Sequence, residues 1–366
     1  MTGGARRLRV VAFGGGHGLA ASLRALRHSA PDLELDITAV VTVGDDGGSS
    51  GRLRAERDSL PPGDLRQALA ALADDDPFDQ RTAALLQYRF APGGQRRHRD
   101  GGPAAGMIAG AGADSAAPGG SGATSAGAVG PGPGDRQDPL AGHAVGNLLL
   151  VGLMELLGDP IAALEHAGRL VGARGRVLPM SRHAVGIEAD VRGADPQRPD
   201  EMITVRGQHA VAATPGHVEA VRLVPPAPPA CPSALAAVAE ADWLIFGPGS
   251  WYTSVLPHLL VPQLADAIMS SPARRLVTLN LAADIETHGL SVADHLAALH
   301  WYLPGLRVDV VLADAKWVGE PEPVHHAAQA LGARLVLAPV AVADGSPRHD
   351  PESLGVALVP VLGAAR

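Results

Sequence analysis

The sequence predicts an α/β fold: a doubly wound, mostly parallel sheet with some antiparallel strands, in one large domain that carries an insertion. Three observations lead there. Short β-branched or apolar runs at residues 10–13, 37–43, 243–246, 276–281, 308–312 and 334–340 alternate with stretches of helical periodicity. Two of these runs stop abruptly in glycine-rich turns, at 14–18 and 247–250, where a helix or hydroxyl-rich segment follows. Residues 176–224 instead break into brief alternating runs divided by Gly, Pro and Asp, the pattern of paired antiparallel strands.

Composition narrows the function. A chain of 366 residues can bury a large core. Its net charge of −8, its 3% aromatic content and the absence of a basic run argue against nucleic acid as partner. No stretch approaches the roughly 20 apolar residues of a membrane span, and the first apolar run is too short for a secretory signal, so no membrane insertion and a cytoplasmic location are expected. The single cysteine, Cys231, excludes an intrachain disulfide and reads as a loop residue between prolines.

The first strand runs into Gly14, Gly15, Gly16, His17 and Gly18, and a helix follows with Leu19, Leu23 and Leu26 at helical spacing. Glycines there leave no Cβ between the backbone N–H groups and an approaching phosphate, and the helix N-terminus adds partial positive charge. A nucleotide phosphate is the expected guest. The second strand empties into Gly44, Asp45, Asp46, Gly47, Gly48, Ser49, Ser50, Gly51 and Arg52, which reads as a flexible loop with two adjacent carboxylates and a guanidinium. Residues 60–66 then form a turn feeding a helix, with Asp64 expected as its N-cap, and helical signals run from 78 to 90.

Residues 91–139, dense in Gly, Ala, Ser and Pro, cannot bury enough apolar surface to offset their ordering entropy and read as a disordered insertion between two parts of one domain, 1–90 and 140–366. Deleting 95–136 is therefore expected to leave melting temperature and ligand affinity nearly unchanged; a cooperative loss of stability in thermal unfolding would mean that the segment packs. A glycine-bearing turn and an apolar helix follow over 140–157, with His143 and Asn147 four residues apart and able to face one site. The runs 176–181, 185–191, 202–211 and 218–224 read as strands, 224–232 as a Pro-rich connector and 233–240 as a helix. The strand at 243–246 ends in Gly247, Pro248, Gly249 and Ser250, a second turn suited to phosphate or a carboxylate. Ser291 is the expected N-cap of a helix with Asp294 three residues on.

Short motifs decide little. Gly16, Gly18 and Ala21 fit GxGxxA, a weak signal in a chain with 45 glycines; no GxxxxGK[ST] and no HExxH occurs, and the histidines show no metal-ligand spacing. No catalytic residue is assigned and the metal ligands, if any, are unknown.

Five longer stretches are specific. They are VTVGDDGGSSGRLR at 41–54, PPGDLRQALAAL at 61–72, GHAVGNLLL at 142–150, FGPGSWYTSVLPHLLVP at 246–262, and NL at 280–281 followed by ET-x-G-x-S-x-x-DH at 286–295. Together they resemble the bacterial YvcK family, often called the gluconeogenesis factor family, within the larger group that includes 2-phospho-L-lactate transferase (CofD-like). The resemblance implies a Rossmann-like fold that binds a UDP-sugar such as UDP-N-acetylglucosamine, a cytoplasmic location, and a role in cell shape and cell-wall supply during gluconeogenic growth; a homo-oligomer and a cell-wall or regulatory protein partner are expected beside it. It carries the nucleotide site onto Gly14, Gly15, Gly16 and Gly18, the acidic loop onto Asp45 and Asp46, polar contacts onto Ser49, Ser50 and Asn147, and the second turn onto Gly247, Gly249 and Ser250. His17, Arg52, Asp64 and His143 complete the candidate ligand-binding set. The chain departs from the family pattern at His17, at the insertion, and at Ala283-Asp284-Ile285, which stands where a glutamine-containing stretch is usual.

The leading expectation is thus a nucleotide-sugar sensor. A transferase is the alternative, with Asp45 and Asp46 holding Mg²⁺ while a diphosphate-activated donor reacts. A dinucleotide oxidoreductase using NAD(P) is the third option and lacks an identifiable hydride-acceptor site.

Overall fold

The structure, a computed structural model, describes residues 7–91, 138–287 and 289–364. It opens with β1 (Leu8–Gly14), α1 (Gly16–Ser29) and β2 (Leu35–Val41). The two strands pair in parallel from Leu8↔Leu35 to Gly14↔Val41, and Leu19, Leu23 and Leu26 of α1 are buried. Next come α2 (Gly48–Arg57), α3 (Pro62–Leu72) and α4 (Pro77–Gln87).

Two expectations change here. The acidic segment is a loop only as far as Gly47, because α2 takes up the stretch that its glycines and polar residues make look flexible. Such a short, weakly apolar helix persists through tertiary contacts, here the burial of Ser49, Ser50 and Leu53. Asp64 is not a cap: Pro61 occupies that place, Pro62 starts α3 with its fixed φ, and Asp64 lies inside the first turn. Helix α4 is capped by Asp76, whose side chain accepts from the Phe78 N–H, and ends at Gln87, short of Phe90.

The chain divides into two compact units, Met1–Tyr88 with His143–Arg366, and Arg89–Gly142. In the second, the Gly142 N–H donates to the Phe90 carbonyl at 2.8 Å. The disorder expected for 91–139 lies outside the described residues except at Ala91, Asp138 and Pro139.

The larger unit resumes with α5 (Val145–Leu157), α6 (Pro160–Leu170) and β3 (Arg176–Pro179), which pairs in parallel with β2. Then β4 (Gly186–Arg192), β5 (Met202–Arg206), α7 (Gln208–Ala213) and β6 (His217–Val224) build a small antiparallel sheet in the order β5-β4-β6. The run 202–211 is therefore not one strand: Gly207, at φ 97°, ends β5 and turns the chain into α7. After α8 (Pro232–Glu240), β7 (Trp243–Phe246) leads into a π turn at Trp251–Val255 and a 3-10 turn at Leu256–Leu260. The remaining elements are α9 (Pro262–Ser270), β8 (Arg274–Thr278), a 3-10 turn at Ile285–Thr287, α10 (Val292–Tyr302), β9 (Val310–Asp314), α11 (Pro321–Ala330), β10 (Arg334–Ala338) and α12 (Pro351–Leu362). Ser291 and Asp294 form the capping box expected for α10. Cys231 is buried at the cap of α8, its N–H bonded to the Met180 carbonyl at 3.0 Å.

The main sheet runs β10-β9-β8-β7-β1-β2-β3, every neighbouring pair parallel. The chain winds outward from β1 through β2 and β3, then returns to start the other half at β7. The boundary between β1 and β7 is thus the topological switch point, where open α/β sheets bind ligands beyond the carboxyl ends of their strands. Phe13 and Phe246 stand opposite each other there, rings stacked with centroids 4.9 Å apart, and are fully buried. Both glycine turns leave from these two residues.

Candidate ligand site

The two turns meet. A Cβ added to Gly18 would overlap the Cα of Gly249 and the carbonyl oxygen of Pro248, both backbone atoms. Gly249 in turn holds φ 136°, a region that side chains rarely adopt. Sequence positions 18 and 249 therefore form one wall of the crevice, and only glycine fits at their contact. Helix α1 points its N-terminus at this place with Gly15, which has no side chain, as N-cap, and its first N–H, that of Gly16, is taken by the Asp64 carboxyl. Gly14 and Gly15 are buried in the turn, Gly16 and Gly18 are half-buried, and His17 is exposed.

Asp64 lies under the first turn. Its Oδ2 accepts from the Thr42 hydroxyl at 3.2 Å, its carboxyl also takes the backbone N–H of Gly16, and it fills the space a Cβ on Gly15 would need. Burial pushes this carboxyl up to about 7, the nearby Asp45 adds to the shift, and the hydrogen bonds from Thr42 and Gly16 and the charge of Arg66 oppose it.

The two loop carboxylates diverge, as adjacent side chains at a strand end tend to. Asp45 Oδ1 accepts from the Gly47 N–H at 3.0 Å, while its other oxygen sits over Gly63 and leaves no room for a Cβ there. Asp46 turns outward, and its Oδ1 accepts from the His209 N–H of α7 at 2.8 Å. Asp45 and Asp64, not Asp45 and Asp46, are the carboxyls brought together. As hard oxygen donors they suit Mg²⁺ completed by water and substrate oxygens, although no cluster of three or more His, Cys, Asp or Glu suited to a metal ion occurs among the described residues.

Ser49, Ser50, His143 and Asn147 also come together, in a buried network. Arg66 has only donors, so its bond from Nε to Asn147 Oδ1 at 2.9 Å fixes the amide with its nitrogen toward the serines. Asn147 Nδ2 then donates to Ser49 Oγ at 3.0 Å and reaches Ser50 Oγ at 3.5 Å, and Ser49 Oγ lies 3.0 Å from His143 Nδ1. The network ties α5 to the start of α2. Residues 47–51 read Gly-Gly-Ser-Ser-Gly, a GxSxG spacing, but Ser49 lies within the first turn of α2 and not at the end of a strand. Arg52 is exposed on α2, while Arg54 holds the loop by donating to the carbonyls of Gly44 and Val185 at 3.3 Å.

At the second turn the protein supplies its own acceptors. Asn280 Oδ1 accepts from the Gly249 N–H at 2.8 Å and its Nδ2 donates to the Gly249 carbonyl at 2.9 Å. Glu286 Oε1 accepts from the Tyr252 N–H at 2.9 Å. Burial pushes Glu286 up to about 7 against the hydrogen bonds from Thr253 and Tyr252. Asp284 accepts from the Ser250 hydroxyl and lies 3.5 Å from Asn280 Nδ2. Helix α7 bridges the two sides, with Gln208 Nε2 donating to the Thr253 carbonyl at 3.2 Å and His209 bonded to Asp46.

Thr42, Arg66, Asn280, Asp284 and Glu286 are thus site residues outside the sequence-derived set. Asn280 follows β8, the strand beside β7, so the rule that ligands collect at strand C-termini was the signal available for it.

Comparison with known proteins shows the family and the fold. A family model described as 2-phospho-L-lactate transferase CofD matches residues 10–338. A candidate gluconeogenesis factor of Mycobacterium tuberculosis (strain ATCC 25618 / H37Rv) is 46% identical over 355 residues, covering 95% of this chain and 89% of the relative. The gluconeogenesis factor of Bacillus subtilis (strain 168) is 31% identical over 309 residues, 84% of this chain and 79% of that protein. A crystal structure of a UPF0052 family member from Bacillus halodurans superimposes with a TM-score of 0.73 at 30% identity, covering 97% of this chain and all of the other.

Proposed function

The chain belongs to the 2-phospho-L-lactate transferase CofD family, in its gluconeogenesis factor (YvcK) branch, and from that premise we propose that it is a UDP-sugar-binding regulatory protein. Its ligand is a UDP-sugar such as UDP-N-acetylglucosamine, held at the switch point, and its bound state reports the nucleotide-sugar pool to a cell-wall or regulatory partner during gluconeogenic growth. It acts in the cytoplasm as a homo-oligomer in support of cell shape. Among the described residues no helix is long and apolar enough to cross a membrane.

The observation that carries this reading is the contact of Gly18 with Gly249 at the start of α1, which brings two strand ends and a helix N-terminus to one place suited to a phosphate-bearing ligand. A second reading, Mg²⁺-dependent transfer from a nucleotide-activated donor, is favoured by the convergence of Asp45 and Asp64 beside the first turn.

One substitution separates the two. Under the sensor reading Asp45 accepts from a ligand hydroxyl, so Asp45→Asn costs about 1–3 kcal/mol of UDP-sugar affinity in titration calorimetry, with or without Mg²⁺. Under the transferase reading the cost appears only with Mg²⁺ present and a chelator reproduces it in the unaltered protein. Metal-independent binding is the expected result. Chelator-abolished binding together with Mg²⁺-dependent release of nucleoside monophosphate or diphosphate would make the protein a transferase, and tight binding of NAD alone would remove both readings.

A further inference from the structure

Asp46 stands in the sequence-derived ligand set, yet the protein itself takes up its carboxylate. Resting on the UDP-sugar reading, we propose that Asp46 is a positioning residue: through α7 it braces the acidic loop against the second turn and holds the crevice walls at their separation, without touching the ligand. Helix α7 starts after Gly207, which has no side chain to cap it, so the N–H groups of its first turn need acceptors from elsewhere. Asp46, 163 residues away in sequence, supplies one, its Oδ1 accepting from the His209 N–H at 2.8 Å. Its Oδ2 lies in the space that a Cβ on Gly207 would fill, which seats the carboxylate against the turn that begins the helix. Both oxygens of Asp46 are thus on α7, whereas the carboxylate of Asp45, one residue back, lies by Gly63 and Asp64.

The brace reaches the far wall through the next residue of the helix. Gln208 Nε2 donates to the Thr253 carbonyl at 3.2 Å, within the π turn Trp251–Val255 that follows the second glycine turn, and its Oε1 is 3.6 Å from where a Cβ on Gly44 would stand, at the root of the acidic loop. One side chain therefore lies against both walls. The unit is anchored to β4 as well, since the Gly207 N–H donates to the Ile187 carbonyl at 2.8 Å, the Ile187 side chain packs on Gly44, and Arg54 donates to the carbonyls of Gly44 and Val185. Adjacent residues of an extended segment face opposite ways, so a loop held by Asp46 on its outer side presents Asp45 on its inner side at a fixed place. Freedom already removed from the loop is not lost again on binding, and affinity gains accordingly.

The test is calorimetric titration of the full chain with UDP-N-acetylglucosamine, with Mg²⁺ and with a chelator, on the unaltered protein, Asp46→Ala, Asp46→Asn, Gln208→Ala and the double variant Asp46→Ala/Gln208→Ala, together with amide hydrogen exchange on the ligand-free proteins. Asp46→Ala and Gln208→Ala are each expected to weaken binding about fivefold, with or without Mg²⁺. The double variant should be no weaker than the weaker single one, because both substitutions cut the same brace. Asp46→Asn, whose amide oxygen still accepts from the His209 N–H, should stay within about twofold of the parent. In the ligand-free protein Asp46→Ala should speed exchange of the amides of 208–213, and Asp46→Asn should not. An Asp46→Asn variant as weak as Asp46→Ala would make the charge itself a ligand contact and overturn the assignment, as would a loss seen only with Mg²⁺, losses that multiply in the double variant, or unchanged affinity in Asp46→Ala. Failure of the unaltered protein to bind UDP-N-acetylglucosamine would instead bring down the UDP-sugar reading. Hydrogen exchange needs no ligand and then decides the brace alone: unchanged exchange of 208–213 in Asp46→Ala overturns it.

Discussion

Gly18→Val is expected to abolish ligand binding and to destabilise the protein at the same time. The side chain would enter the space between two backbones, where the Cα and N of Gly249 and the carbonyl oxygen of Pro248 leave no room even for a Cβ. Nothing there can swing aside. The turns issue from Phe13 and Phe246, which are paired across β1 and β7 in the middle of the sheet, so relief requires the strand ends to part. Overpacking of this kind costs about 1–3 kcal/mol, and against backbone the upper part of that range is expected. Urea unfolding should give a lower midpoint, and calorimetry no measurable UDP-sugar affinity. Gly18→Ala should follow in the same direction with a smaller loss. A valine variant that kept both stability and affinity would mean that the two turns do not form one wall.

Asp64→Asn is expected to gain stability over the unaltered protein as pH rises. The folded-state carboxyl of Asp64 titrates near 7, against 3.8 as the ordinary value, because burial and Asp45 disfavour its charge. Between those values the folded chain holds a proton that the unfolded chain has released. The unfolded state therefore binds fewer protons, and stability must fall across the interval. Below about pH 4 the penalty is absent, and above about pH 7 it is complete, on the order of 4 kcal/mol, since each tenfold change in proton affinity is worth about 1.4 kcal/mol. Asparagine has no proton to release and can still accept from Thr42 and Gly16. The stability difference, variant minus parent, should rise between pH 4 and pH 7 and then level. Glu286 is also pushed upward but is present in both proteins and cancels from the difference. A difference that stays flat with pH would place Asp64 at its ordinary titration range and remove it from the buried floor of the site.

The strands and the two glycine turns were legible because their signals are local. The fully buried run Trp243–Phe246 and the β-branched β1 and β2 carry the pattern of central parallel strands without reference to any other part of the chain. Helices α6 and α12, which the sequence reading passes over, had a local signal too: Asp159-Pro160 and Asp350-Pro351 repeat the arrangement of Asp76-Pro77, an acidic N-cap followed by proline at the first helical position. Helix α2 was hidden because its own residues favour it weakly and packing supplies the rest. The pairing of Asp46 with His209 spans 163 residues and that of Gly249 with Asn280 spans 31, so neither turn's saturation nor the divergence of the acidic pair could be read from spacing. Asp64 illustrates the limit best. Its chemistry and its position at the start of a helix suggest a cap, and only the fold places it beneath Gly15 and beside Asp45.

The measurement that tests the central claim most directly is a crystal structure of the protein with UDP-N-acetylglucosamine. The diphosphate is expected at the switch point between β1 and β7, within hydrogen-bond distance of backbone N–H groups at the start of α1. A diphosphate seated away from both glycine turns, or no ligand density at the switch point at concentrations that saturate the protein in solution, would contradict the account.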